Sequence, residues 1–74
     1  MLDMRLRLPE LMAERGLTTA YQLAKASNYR ISITKAYRLV DSKGEPERVE
    51  LRTLAALCDL FGIGPGELLE HDAA

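Results

Sequence analysis

A single cysteine in a chain of 74 residues removes the covalent route to stability. Domains this short bury a small core, and many depend on disulfides, a structural metal or a partner. Cys58 has no second cysteine to pair with, and Cys58 with His71 falls short of a tetrahedral zinc ligand set. Stability must therefore come from closely packed elements or from a second copy of the chain. Neither a metal nor a cofactor is expected.

The punctuation of the chain predicts short helices. Pro9 suits the first position of a helix, where a missing N–H costs nothing. That helix covers residues 9–15, is closed by Gly16, and turns Leu8, Leu11 and Met12 to one side. Thr19 followed by Gln22 is a capping-box spacing, so a second helix runs over residues 20–27. Its Leu23, Ala24 and Ser27 are close-packed positions, and Ala24 is small enough for another helix to cross. Residues 28–31 have no helical period and read as a turn, with Asn28 able to stop the second helix in the left-handed conformation.

Ser32 is a good N-cap for a third helix, Ile33–Asp41. Ala36, Leu39 and Val40 form its apolar stripe. That leaves Ile33, Thr34, Tyr37 and Arg38 on the open side and Lys35 at the edge. Residues 42–46 are a breaker segment. A fourth helix, Leu51–Phe61, carries Leu54, Leu57, Cys58 and Phe61 on its apolar stripe and ends at Gly62. Gly64-Pro65 opens a short fifth helix with Leu68 and Leu69 buried. Arg5 to Leu8 alternates and is compatible with extended backbone. The expectation is an all-α, compact five-helix bundle over residues 8–70, with 1–7 and 71–74 as flexible or partly ordered ends.

The net charge of -1 is not that of a basic nucleic-acid binder, but the charges are segregated. Residues 25–48 carry Lys25, Arg30, Lys35, Arg38, Lys43 and Arg48 against three acids, whereas residues 49–74 carry Arg52 against five. A positive middle and a negative tail give one face that tolerates phosphate and one that avoids it. No long apolar run suggests a membrane span, and the first residues lack an apolar signal core, so a cytoplasmic location is expected. No nucleophile-and-base pair, glycine-rich phosphate loop or metal cluster is visible, so an enzyme is not expected.

Two short helices meeting at a turn, the second with a buried stripe and a polar face, form the layout a groove-reading helix needs. At this point the chain resembles the phage-repressor and Cro type of helix-turn-helix, the XRE family. The resemblance runs from Leu8 to Leu69. It rests on Leu23-Ala24, on Ile31-Ser32 followed by Ala36 and Leu39, and on Leu54, Leu57, Leu60-Phe61-Gly62-Ile63 and Glu67-Leu68-Leu69 in that order. The stretch LAALCDLFGIGPGELL is similar to the family's fourth and fifth helices. One departure stands out: Ala26-Ser27-Asn28-Tyr29-Arg30 makes the segment before Ile31 longer than the usual pattern.

The resemblance implies a lambda-repressor-like fold and a sequence-specific duplex-DNA-binding transcriptional regulator, a repressor, reading the major groove with Ile33–Asp41. It implies base contacts from Ile33, Thr34 and Arg38, with Tyr37 close by, and phosphate contacts from Thr19, Lys25, Ser32, Lys35 and Lys43. Side-chain chemistry agrees for several. Arg38 can bond guanine O6 and N7, Thr34 offers a hydroxyl or a methyl, and Ile33 can touch a thymine methyl or fill space. The other readings are that Ile33 tucks under Tyr29 and that Tyr37 packs over the turn. One reading helix covers few base pairs, so a homodimer is expected. Phe61, Ile63 and Leu69, in the acidic part away from the positive middle, are the expected interface, with filling of the core as their other reading. The rival reading of the same fold is a protein–protein or antitoxin-like adaptor.

Overall fold

The computed structural model describes residues 3–72. Met1, Leu2, Ala73 and Ala74, part of the expected flexible ends, lie outside the described residues. The element order is β1 (Asp3–Leu6), α1 (Leu8–Glu14), α2 (Ala20–Ala26), α3 (Ile33–Asp41), α4 (Leu51–Phe61), α5 (Pro65–Leu68) and β2 (Leu69–Asp72).

The helix boundaries follow local chemistry. α1 opens one residue before Pro9, which sits in the first turn, where backbone N–H groups are unpaired in any case. It stops at Gly16, whose φ of 69° is a left-handed conformation, while Leu17 N–H donates to Met12 O at 2.9 Å. The capping box at α2 is formed: Gln22 N–H donates to the Thr19 hydroxyl at 3.1 Å, and the Gln22 side chain accepts from Thr19 N–H at 3.3 Å. Ser32 caps α3, accepting from Lys35 N–H at 3.2 Å.

The fold is mostly helical but not all-α, which corrects the expectation from the sequence. β1 and β2 pair antiparallel, with Met4 opposite His71, Arg5 opposite Glu70 and Leu6 opposite Leu69. The alternation around Arg5 and Leu6 is thus that of a strand, whose partner lies at the far end of the described chain. Leu6 N–H turns away from β2 and donates to Gly44 O, and Arg7 N–H donates to Leu68 O, both at 2.7 Å. These bonds tie the sheet to the α3–α4 connection and to α5. On the sheet surface the Arg5 guanidinium reaches the Glu10 carboxylate at 2.7 Å and Glu70 at 3.6 Å.

One core joins the helices. Leu8, Leu23, Ile31, Leu57 and Leu68 are its fully buried large side chains, each contributing roughly 1.5–3 kcal/mol by leaving water. α4 is rotated from its expected stripe: Thr53, Ala56, Leu57 and Phe61 are buried, while Leu54 and Cys58 are only partly so. Phe61 is 3% exposed, with the Arg15 guanidinium 5.7 Å from its ring centroid and the Phe61 carbonyl accepting from Arg15 at 2.8 Å. Placing Phe61 on a dimer interface is corrected accordingly: its ring is core, because the end of α4 closes against the end of α1.

Candidate nucleic-acid interface

α2 and α3 pack directly on one another, and Ala24 and Ala36 are both fully buried. Small residues let the two axes approach closely. The turn between them is a closed hydrogen-bonded unit. Asn28 N–H donates to Lys25 O and Tyr29 N–H to Ala24 O, both at 2.9 Å, which is a Schellman closure with Asn28 in the left-handed position. Tyr29 follows in the same region at φ 61°. The buried Ser27 hydroxyl donates to Ala24 O at 2.7 Å and accepts from Ile31 N–H at 3.1 Å. Ile31 is thereby drawn into the core, and Ser32 is left outside to cap α3.

α3 divides into two faces. Ala36 and Leu39 are buried and Val40 is partly so. Ile33, Thr34, Tyr37 and Arg38, the four expected base-reading residues, are all exposed. Arg38 has no ion pair among the described residues. The expected phosphate contacts are also at the surface, with differences in what each has to offer. Lys25 and Lys43 are exposed and unpaired among the described residues, Lys43 standing at φ 54° in the turn after α3. Thr19 and Ser32 each accept one capping bond and keep a hydroxyl hydrogen to donate. Lys35 is bonded to Glu50, the N-cap of α4. The ammonium beside it holds the Glu50 carboxyl below its usual range, with a smaller push from Arg52.

Three features were not assigned from the sequence. Arg48 borders the same groove as Lys35, Arg38 and Glu50. Its charge was visible in the positive middle, but it lies in an irregular segment whose path depends on tertiary packing. Arg30, in the turn, is drawn to Asp59 of α4 at 2.6 Å. Tyr21, at the start of α2, lies beside the Tyr29 phenol and raises it above its ordinary value.

A family model described as the Cro/C1-type helix-turn-helix DNA-binding domain matches residues 7–74. The chain belongs to this family. The match takes in all five described helices and β2. This is a DNA-binding regulatory domain rather than a catalytic one. Comparison with curated proteins and with solved structures found no match. No helix among the described residues is long and apolar enough to cross a membrane, and no group of metal-ligating side chains is found among them.

Proposed function

We propose that this Cro/C1-type domain is a sequence-specific repressor that reads the major groove with α3. The observation that carries this reading is the division of α3. One side is anchored through Ala36 and Leu39, and the opposite side presents Ile33, Thr34, Tyr37 and Arg38 to solvent. A helix of this kind enters the groove with its first turn toward base edges. Arg38 supplies a two-pronged donor for guanine, and Lys25, Lys43 and Arg48 supply charge for the backbone. Occupancy is enough to repress, since two proteins cannot share one stretch of groove.

The domain binds as a homodimer in this reading, because one α3 spans too few base pairs to be specific in a genome. Two copies about a two-fold axis place their reading helices about 34 Å apart. Ile63 and Leu69 are partly buried and remain available for pairing, whereas Phe61 is not. Selection from a pool of random duplexes, followed by sequencing, tests the proposal. Enrichment of a motif with two-fold symmetry is expected. An unenriched pool would overturn the DNA reading in favour of the adaptor reading, which the exposed aromatic side chains around the turn would then serve.

A further inference from the structure

The small sheet leaves part of one edge bare. Arg7 N–H donates across to Leu68 O, whereas Leu6 N–H turns away from β2 and donates to Gly44 O. In an antiparallel pair, residues that exchange bonds with the partner strand alternate with residues whose N–H and C=O point outward. Met4 lies two residues before Leu6, so its N–H and C=O also point away from β2. Leu6 meets Gly44 on that side, but no backbone partner meets Met4 N–H there among the described residues. Proteins usually blunt such an edge with lysine, proline or a bulge. β1 instead centres its free edge on Met4, which is 48% exposed.

This edge is complementary to itself. Two copies of one strand, paired antiparallel, are related by a two-fold axis normal to the sheet. Centred on Met4, the pairing lets the two Met4 residues exchange N–H···O bonds. It also sets Asp3 of each strand opposite Arg5 of the other, an acid against a base. Centring on Arg5 would oppose two arginines and would need the Leu6 N–H that Gly44 already holds. Centring on Asp3 would oppose two aspartates. Arg5 hydrogen-bonds Glu10 through Nη2 alone, so its guanidinium keeps further donors.

Apolar surface gathers at the same place. Met4 shares a groove with Pro46, Val49, Leu54 and Leu69. Six large apolar side chains are left exposed among the described residues. Four belong to the α2–turn–α3 unit, and the other two are Met4 and Leu51. Leu51, 82% exposed, lies three residues before Leu54 and so on the same side of α4. The two-fold axis brings both copies of that groove to one side of the joined sheet.

We propose that the free edge of β1 is a self-association surface, on which residues 3–5 of two copies pair antiparallel about Met4. The product is a four-stranded sheet in the order β2–β1–β1–β2. This rests on the reading of the domain as a homodimer and adds backbone pairing to it. Leu69, already offered for pairing, lines the groove beside Met4.

Sedimentation of the free protein over a range of concentrations, and of its complex with the selected duplex, is combined with amide hydrogen exchange. Leu6 N–H, bonded within one copy, is the internal reference. A two-copy species is expected in which exchange at Met4 N–H slows by roughly tenfold or more relative to the monomer. Met4→Pro removes the outward N–H and no bond to β2, and proline is tolerated on strand edges. It is expected to weaken the two-copy species by roughly tenfold or more, the worth of two symmetry-related hydrogen bonds. Asp3→Arg sets like charges opposite one another and is expected to weaken it too, with no demand on the backbone. A two-copy species whose Met4 amide exchanges as fast as in the monomer overturns the inference and leaves the dimer reading standing. So does one that both variants leave as tight as the parent. One copy at every concentration and on the duplex overturns both.

Discussion

The ammonium of Lys35, in the first turn of α3, donates to the carboxylate of Glu50, which stands at the N-cap position of α4. Both side chains are substantially exposed, so the pair adds little to stability. Its consequence lies in binding, because a carboxylate occupies a cation that would otherwise meet phosphate. Glu50→Gln is therefore expected to tighten binding to all duplexes alike and to steepen the salt dependence by up to about 1 in the log–log slope. Titrations at several salt concentrations read this out, and an unchanged slope would remove Lys35 from the phosphate contacts. The sign of the pH effect follows from the lowered Glu50 carboxyl. The pair's small contribution is complete above the carboxyl's ordinary value and is lost as pH falls through the lowered one. Glu50→Gln should show a correspondingly smaller loss of stability on acidification, measured by thermal melts.

Arg38 stands on the exposed side of α3 with no carboxylate partner among the described residues. Arg38→Ala is expected to cost about 1–3 kcal/mol on the preferred duplex and to relax preference at one base pair. Competition binding with single-base variants of the site measures it. Equal loss on random DNA would make Arg38 a backbone contact instead.

Ser27 joins Ala24 O to Ile31 N–H at the base of the long turn, where it is buried. Ser27→Ala leaves a buried donor without a partner and should cost roughly 1–3 kcal/mol. Denaturant unfolding gives the value. A variant as stable as the parent would mean that the turn holds Ile31 by packing alone.

Gly44 accepts from Leu6 N–H at φ 90°, and a Cβ there would lie 2.6 Å from Leu6 O. The obstruction is backbone and cannot rotate away. Gly44→Ala is expected to lose on the order of 1–3 kcal/mol or more and to loosen the sheet before the helices. Hydrogen exchange at Leu6 and Arg7 separates local loosening from global unfolding, and unchanged protection there would refute the tie between sheet and turn.

Dimerisation has a stoichiometric signature. Sedimentation of the complex with a palindromic duplex should show two copies per duplex, and Ile63→Lys should reduce this toward one without unfolding the domain, since Ile63 is only partly buried. Saturation at one copy, with a site lacking symmetry, would sink the dimer.

The helices were legible in the sequence because their ends are set by partners only a few residues away. Ser32 with Lys35, Thr19 with Gln22, Asn28 with Lys25 and Gly62 after Phe61 each act within one turn of chain. Such bonds need no tertiary structure, so α3 begins at Ile33 and ends at Asp41 as its sequence predicts. The exposed face of α3 followed from the same periodicity. What only the tertiary structure decided involves partners far apart in sequence. β1 shows its alternation locally, but a strand exists only when paired, and β2 is supplied from residues 69–72. The rotation of α4, the burial of Phe61 under Arg15, and the ion pairs of Arg30 with Asp59 and Lys35 with Glu50 arise the same way. A side chain's own neighbours specify which turn it caps, whereas the elements brought together by the core decide which charge it meets and which surface it leaves open.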